Sequence, residues 1–446
     1  MTTISSLFKI LSCRDHVDYV LVVIVISTVL WYFWLYAKSK RQSPPLPPGP
    51  WGLPIVGNLP FLKPELHKYF QGLARKHGPI FKLWFGSKLA IVVTSSEVAR
   101  EILRTNDVIF ANHDVPAVAI VNTYGGIDIP WSPYGPRFRI LRKLCVNKIL
   151  SNARMEKSVD LRRGETRRTV RYLADLARAG SPVDLGEQIF LMILNVVTQM
   201  LWGATVQEEE RELVGAEFSG LVQEMNDLLM DRLFDRVINQ RLGMDKGREG
   251  KGEDVLEVLL RIKNEDEEAD FNMNDVKALL MDMVLGDTDT SVHVIEFAMA
   301  ELLNKPDIMK RAQQELDEVV GKDKIVEEYH IPKLPYILAI MKETLRLHTV
   351  APLLNPHRPS QTTVNPLEFD PNRFLDKSYD FSGNDFNYIP FGSGRRICVR
   401  MAMGERVKLP CGEKVKVEEK FGITLKLKSQ LVTTPVLRLA DPNLYL

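Results

Sequence analysis

The chain contains 446 residues, of which 45% are hydrophobic, and it carries a formal net charge of +1 at pH 7. This length provides material for one large hydrophobic core or two smaller ones. The near-neutral charge gives no support for a nucleic-acid partner. The four cysteines are widely spaced, which argues against a disulfide framework and against a zinc site, so the bulk of the chain is expected in a reducing compartment.

The N-terminal part of the sequence predicts a membrane anchor. Residues 19–37 form an uncharged apolar run of membrane-spanning length, and aromatic residues such as Trp34 cluster near its end. The basic residues Lys38 and Arg41 follow this run directly. The positive-inside rule therefore places residues 1–18 in the lumen and the rest of the chain in the cytosol, as in a single-pass signal anchor.

The segment after the anchor predicts a stiff connection to the main body. Residues 38–50 are basic and rich in proline, which is typical of a hinge, and residues 51–446 form the body. Near the start of this body, residues 80–84 and 89–93 predict two strands around a short turn. The nearby Ser95 is expected to cap a helix.

A long helix is predicted over residues 274–303, where apolar residues recur at helical spacing. A polar segment that contains Asp289 and Thr290 interrupts the apolar pattern. A hydroxyl beside an acid can position water for proton delivery, so these two residues are candidate catalytic groups. The alternative interpretation is a helix kink, at which threonine hydroxyls bond back to backbone carbonyls.

A second helix is predicted around Glu343 and Arg346. The two residues are three positions apart and therefore lie on one helix face. Their neighbours are apolar, so a partly buried ion pair is expected. The alternative is a solvent-exposed pair, which contributes roughly a few tenths of a kcal/mol to stability.

The run from Phe391 to Cys398 surrounds one cysteine with glycines and arginines. A cysteine thiolate donates electron density to haem iron and favours cleavage of the O–O bond, so Cys398 is the candidate iron ligand. Gly394 lets the backbone turn and approach a porphyrin closely, and Arg396 is placed to meet an anionic haem propionate. Phe391 is expected to shield the sulfur from water. The alternative is a structural cysteine that acts as a small buried hydrophobe.

In this order along the chain, the segments resemble the motifs of the cytochrome P450 family, the haem-thiolate monooxygenases. The resemblance covers nearly the whole chain and is strongest to plant microsomal members similar to flavonoid and terpenoid hydroxylases. It implies a mainly α fold with a small β portion, with haem between the long helix and the Cys398 loop. The implied reaction inserts one atom of O2 into a lipophilic plant secondary metabolite. Its electrons come from NADPH through NADPH-cytochrome P450 reductase, at the endoplasmic reticulum membrane.

The same resemblance assigns roles to further residues. The segment that ends at Arg142 is similar to the propionate-contacting helix of the family, which makes Arg142 a second propionate partner. Phe138 stands in this segment where the family prefers tryptophan. Arg373 occupies the place of the arginine that, in the family, is the third partner of Glu343 and Arg346. The resemblance implies that these three residues form a structural motif.

The sequence also departs from the family pattern. Arg400 stands where the family has a glycine shortly after the cysteine, and Asp287 replaces another customary glycine. Three segments are shorter than in the family: between residues 358 and 365, around residues 225–232, and after Gly404. These departures raise a second hypothesis, that of a catalytically inactive, membrane-bound relative with poor or no haem binding.

Overall fold

The computed structural model of the chain describes residues 19–34, 46–113, 115, 119–120, 123–203, 227–243, 254–265, 271–353, 370–375, 379–399, 417–421, 424–439 and 441–445. The chain divides into two units, the first ending at Ser95 and the second beginning at Ser96. Helices dominate the described residues, and the strands form two-stranded sheets. The predicted mainly α fold with a small β portion is therefore confirmed.

The first unit begins with helix α1, Tyr19–Trp34, whose apolar side chains are mostly exposed. This helix is the described part of the predicted anchor, because residues 35–37 lie outside the described residues. One described helix has the length and composition needed to cross a membrane, namely Leu185–Trp202, but 67% of it is buried inside the protein. A helix that is mostly buried belongs to the protein core. Membrane crossing by α1 stays a prediction, because α1 is shorter than a membrane-spanning helix in the described residues.

The remainder of the first unit contains the predicted hairpin. A 3-10 turn, Leu59–Phe61, and helix α2, Leu66–His77, precede strands β1, Ile80–Phe85, and β2, Lys88–Val93. The strands pair antiparallel, with Ile80 opposite Val93. Gly86 occupies the turn with φ +61°, a conformation that glycine adopts without steric cost. Both predicted strands are confirmed.

Among the described residues, the second unit contains ten α-helices and four short strands. The helices are α3 Ser96–Arg100, α4 Pro136–Leu144, α5 Asn152–Lys157, α6 Val159–Ala179, α7 Leu185–Trp202, α8 Asp227–Gly243, α9 Val255–Glu265, α10 Met273–Asn304, α11 Pro306–Val319 and α12 Pro335–Leu347. Helix α3 continues into a π-turn, Glu101–Thr105, and α4 into another, Cys145–Ile149. Strand β3 Val183–Asp184 pairs with β6 Val432–Thr433, and β4 Glu419–Phe421 pairs with β5 Leu425–Leu427, both antiparallel.

Helix α10 is the predicted long helix and lies in the centre of the second unit. It begins with a reciprocal cap: Asn272 Oδ1 accepts from the backbone N–H of Asn274 at 2.9 Å, and the Asn272 N–H donates to Asp275 Oδ2 at 2.8 Å. Such a box satisfies donors that the first helical turn leaves unpaired. The helix packs along α7 through buried apolar side chains such as Leu194 and Phe297. The predicted helix over residues 274–303 is therefore confirmed.

A buried histidine joins α10 to the end of α12 and to β4. The Nε2 atom of His348 lies 2.9 Å from Glu301 Oε1, and its Nδ1 atom lies 2.9 Å from Glu419 Oε1. Its ring stacks on Phe297 with 4.5 Å between centroids. Burial disfavours the charged ring, but the hydrogen bonds that it donates to Glu301 and Glu419 raise the pKa of His348 above its ordinary value. The imidazolium thus neutralises two buried carboxylates.

Replacing His348 with glutamine is expected to lower the free energy of unfolding by about 3–5 kcal/mol, since two buried carboxylates lose their cation. The folded-state pKa is raised. The loss is therefore largest below about pH 6.5, the ordinary histidine pKa, and shrinks as pH rises through the folded-state value. Urea unfolding at several pH values measures it, with His77→Gln at the end of α2 as the control. A difference between variant and wild type that stays constant with pH contradicts this prediction.

Candidate functional site

The Cys398 loop is built on a 3-10 turn, Gly394–Arg396, and closes on itself. The backbone N–H of Cys398 donates to the carbonyl of Phe391 at 3.0 Å, and the Cys398 side chain is exposed. Gly394 has φ +66°, and a Cβ atom there would lie 1.9 Å from the carbonyl oxygen of Leu103. The close approach of two backbones therefore requires glycine at this position.

Arg396 fastens the loop to the chain segment that leads into α4. Its guanidinium donates from Nε to Ala111 O at 2.7 Å, from Nη1 to Ile129 O at 2.9 Å and from Nη2 to Ser132 O at 2.6 Å. The guanidinium carbon also lies 4.0 Å from the centroid of the Phe138 ring, a cation–π distance. The three nitrogens of Arg396 therefore each hold a backbone carbonyl.

Arg142 of α4 lies beside the same loop. Its Nη2 donates to the carbonyl of Ile397 at 2.9 Å. Burial lowers the pKa of Arg142, against the opposing charges of Cys398 and Cys145, and burial together with the charge of Arg142 lowers the pKa of Arg396. Within the described part of the chain, neither guanidinium forms an ion pair with a carboxylate. Arg142 is thus a cation near the Cys398 thiol, and Arg396 is a neighbouring cation of Arg142.

The two described cysteines lie in different environments. Cys145 is fully buried, with its Sγ 3.9 Å from Met283 Sδ, and burial raises the pKa of its thiol. It is the structural, hydrophobe-like cysteine of the alternative interpretation. Cys398 is exposed, and the ring of the preceding Phe391 packs edge-on against Phe381 at 5.5 Å. Only Cys398 is therefore placed to act as an accessible ligand among the described cysteines.

In the polar segment of α10, the side chains of Asp289 and Thr290 contact different partners. The Thr290 hydroxyl donates to the carbonyl of Gly286 at 2.5 Å, the backbone contact of the alternative interpretation. The Asp289 carboxylate accepts from the Thr424 hydroxyl at 2.6 Å through Oδ2, and its Oδ1 lies 3.2 Å from His293 Nε2. Asp289 and Thr290 are adjacent in the chain but are not hydrogen-bonded to each other.

Glu343, Arg346 and Arg373 are brought together by the structure. Glu343 is fully buried, and its carboxylate accepts from Arg346 Nε at 2.7 Å and Nη2 at 2.8 Å and from Arg373 Nε at 3.2 Å. It also accepts from the backbone N–H of Asp370 at 2.9 Å. These contacts hold the 3-10 turn Pro371–Phe374 against α12.

Sequence reasoning missed a pair of buried acids beside the Arg396 contacts. Asp282 of α10 accepts from the backbone N–H of Ile129 at 2.9 Å, and Asp128 accepts from that of Trp131 at 3.2 Å. Burial raises the pKa of Asp128 to about 7, and burial together with the charge of Asp128 raises the pKa of Asp282 further. The two carboxyls are separated by about 150 residues in sequence, so no local spacing signals their proximity.

The family model described as Cytochrome P450 matches residues 47–242, 220–364 and 364–407. The chain belongs to the cytochrome P450 family. The flavonoid 3'-monooxygenase of Crocosmia x crocosmiiflora is 34% identical over 94% of this chain and 97% of that protein. The 3,9-dihydroxypterocarpan 6A-monooxygenase of Glycine max is 32% identical over 94% and 98%. The geraniol 8-hydroxylase of Catharanthus roseus is 30% identical over 94% and 99%.

Solved structures share the fold of this P450. Structures of a zebra fish cytochrome P450 with abiraterone and with progesterone have TM-scores of 0.67 and 0.68, at 22% sequence identity. Each match covers 83% of this chain and 99% of the solved chain. The chain is thus an oxidoreductase of the monooxygenase type with the P450 fold, and haem held by a cysteine thiolate is the cofactor that this family implies.

The family match is interrupted near the segments that were predicted to be shortened. Its pieces overlap over residues 220–242, meet at residue 364 and end at residue 407. The alignment to the Crocosmia x crocosmiiflora relative spans 499 residues, more than the 446 residues of this chain, so that relative has residues without a counterpart here. Arg400, Gly404 and residues 358–365 lie outside the described residues, as do residues 225–226. Residues from 227 on form part of the single helix α8.

The side chains around Cys398 fit an iron porphyrin with two carboxylate arms. The exposed sulfur is a soft ligand, and the two flanking guanidiniums are half-buried cations whose pKa burial lowers. Neither cation forms an ion pair among the described residues, although the charge of Asp128 partly stabilises Arg396. An anionic ligand stabilises half-buried cations of this kind. The donor set therefore matches haem in both its metal and its propionates.

Replacing Gly394 with alanine is expected to disrupt the Cys398 loop, because the new Cβ collides with a backbone oxygen and φ is +66°. We expect a loss of more than about 2 kcal/mol in the free energy of unfolding, measured by urea titration. Gly180→Ala is the matched control, since Gly180 has φ +64° with nothing within 4 Å. That variant isolates the backbone strain of about 1 kcal/mol. Equal losses in both variants would show that the contact with Leu103 has no role.

Proposed function

We propose that this P450 is a membrane-anchored haem-thiolate monooxygenase that inserts one atom of O2 into a lipophilic small molecule of plant secondary metabolism. Electrons are proposed to come from NADPH through NADPH-cytochrome P450 reductase. The observation that carries the proposal is the exposed Cys398 in a loop that contacts Arg142 and contains Arg396. These two cations form no ion pair with a carboxylate in the described chain.

In this proposal Arg142 and the residues of the Cys398 loop each have a separate role in binding the cofactor. Cys398 would hold the iron through its sulfur, and Arg142 and Arg396 would hold the propionates. Arg396 would exchange part of its bonding to backbone carbonyls for this contact. Phe391 shields the sulfur, and Gly394 keeps the loop close to the π-turn that follows α3. When bound, haem supplies the activation of O2.

The proton-handling groups are proposed to be Asp289 and Thr290 of α10. A hydroxyl that is bonded to a helix carbonyl can exchange that bond for one to a ligand, as Thr290 does in this proposal. Asp289 is ionised at neutral pH, since its pKa is lowered: burial raises it, but contacts with His293 and Thr424 outweigh that effect. The charged carboxylate can therefore position water for proton delivery.

The proposed location is the cytosolic face of the endoplasmic reticulum membrane. The apolar and exposed helix Tyr19–Trp34 supports an anchor, and the basic residues that follow support the orientation. In this arrangement residues 1–18 are luminal, residues 19–37 span the bilayer, residues 38–50 form the hinge and residues 51–446 form the haem domain.

The substrate class is proposed from the names of the relatives, which act on a flavonoid, a pterocarpan and the terpenoid geraniol. Lipophilic ring systems and isoprenoids share low polarity, and a mostly apolar pocket suits them. The sequence also raised the hypothesis of a catalytically inactive relative. The named activities of the relatives lend it no support, since they are monooxygenases and hydroxylases.

Reconstitution tests the proposal. The full chain in microsomes, with added reductase and NADPH, is offered geraniol, 3,9-dihydroxypterocarpan and a flavonoid under isotopically labelled O2. We expect one labelled oxygen atom in the product of at least one substrate, and complete loss of this product in Cys398→Ser, whose oxygen is a poor thiolate substitute. Cys145→Ala is the control and is expected to retain turnover, because Cys145 is a buried structural residue. Turnover that survives Cys398→Ser contradicts the assignment, and haem-loaded protein that oxidises no NADPH favours the inactive relative.

A further inference from the structure

A buried histidine lies between the Asp289 carboxylate and a second acid on α10. His293 is 8% exposed, its Nε2 lies 3.2 Å from Asp289 Oδ1, and its Nδ1 lies 2.9 Å from Glu296 Oε2. The other oxygen of Asp289 accepts from the Thr424 hydroxyl at 2.6 Å. Both oxygens of Asp289 are therefore occupied by neighbours other than Thr290.

The charges in this cluster favour a protonated imidazole. Burial lowers the pKa of His293, but its contacts with Asp289 and Glu296 raise it to about 9. Lys426 of β5 adds a positive charge near Asp289. On the opposite side, Asp184 at the start of α7 faces Glu296, and burial, with the charge of Glu296 as a smaller contribution, raises the pKa of Asp184. The His293 imidazolium thus lies between two acids of α10, Asp289 and Glu296.

We propose that His293 is a positioning residue that fixes both the charge and the orientation of Asp289. This inference rests on the proposed function, in which Asp289 and Thr290 handle protons. With the imidazolium in place, Asp289 is a carboxylate directed at His293 and at Thr424 of the β4–β5 hairpin. These two partners fix the direction in which the carboxylate points, so loss of His293 is expected to leave Asp289 wrongly placed for proton delivery.

Replacing His293 with a neutral residue is expected to raise the pKa of Asp289. Burial alone raises the pKa of a carboxyl, and the contacts with His293 are the first of the opposing causes at Asp289. Without them, Asp289 is expected to titrate closer to neutral pH and to exist partly as the neutral acid there. A neutral carboxyl also loses its ion pair and can rotate.

A second buried histidine provides the matched control. His348 also lies between two carboxylates, Glu301 and Glu419, with a raised pKa, but it does not contact Asp289. His348→Gln therefore removes the same kind of ion network from the same helix without changing the partners of Asp289. Thr424→Val is a second test variant, because it removes the other contact of Asp289 and leaves the histidine in place.

The first readout is the infrared band of a protonated carboxyl, recorded on the full chain over about pH 6 to 8, which needs no turnover. All variants are expected to share the carboxyl titration of Asp128, whose pKa is about 7. We expect an additional titrating carboxyl band in His293→Gln that disappears in His293→Gln combined with Asp289→Asn, and no additional band in the wild type or in His348→Gln. A weaker band is expected in Thr424→Val. The proposal is overturned if His293→Gln shows no new carboxyl titration.

The second readout is coupling, the product formed per NADPH oxidised, measured across pH on haem-loaded protein. We expect His293→Gln to lower coupling about tenfold at pH 7. This is less than the roughly 10²–10⁴-fold in rate that a positioned acid or base contributes, because the acid itself is still present. The wild type is expected to lose coupling as pH rises through about 9, where His293 deprotonates, and the variant is expected to lack this limb. Identical pH profiles for His293→Gln and His348→Gln overturn the positioning role. If the wild type is inactive, the proposed function fails, and the infrared titration still decides whether His293 controls Asp289.

Discussion

The structure depends on the burial of charged side chains along one helix, α10. Taking an ion out of water costs several kcal/mol unless a partner compensates, so each buried charge on α10 must find a group on another element. The partners come from different parts of the fold: Arg137 of α4 binds Asp275, Asp231 and Asp235 of α8 bind Lys277, the Ile129 amide binds Asp282, Thr424 of the β4–β5 hairpin binds Asp289, and His348 binds Glu301. The position of each surrounding element is thereby tied to one turn of the helix.

The same constraint connects the central helix to the cysteine loop. Asp282 holds the backbone N–H of Ile129, and the carbonyl of Ile129 accepts from Arg396 two residues before Cys398. The short segment around Ile129 is therefore a bridge from α10 to the loop. In the proposed function this bridge sets the distance between the proton-handling residues and the iron ligand, which is the geometry on which oxygen chemistry depends.

Much of this arrangement could be predicted from the sequence, wherever the signal is local. The apolar periodicity over residues 274–303 and the paired runs that became β1 and β2 specify their elements without help from distant residues. The partnership of Glu343 with Arg346 follows from a spacing of three on one helix. The cysteine motif likewise distinguished Cys398 from Cys145, which the structure buries.

The contacts that sequence reasoning missed are those with partners that carry no local signal. Arg396 binds three backbone carbonyls, and every residue has a carbonyl, so no residue type indicates these acceptors. Thr424 is 135 residues from Asp289 and reaches it only because the β4–β5 hairpin packs on α10. The contact between His293 and Asp289 could have been predicted from the sequence, because His293 follows Asp289 by four positions and therefore shares its helix face.

The central claim is that Cys398 binds haem iron as a thiolate. The absorption spectrum of the dithionite-reduced full chain with carbon monoxide, recorded in membranes of an expression host, tests it most directly. The account predicts a strongly red-shifted Soret band for the wild type and for Cys145→Ala, and its loss in Cys398→Ser. Intact wild-type protein without a haem band, or with the unshifted band of an imidazole-bound haem, would contradict the account.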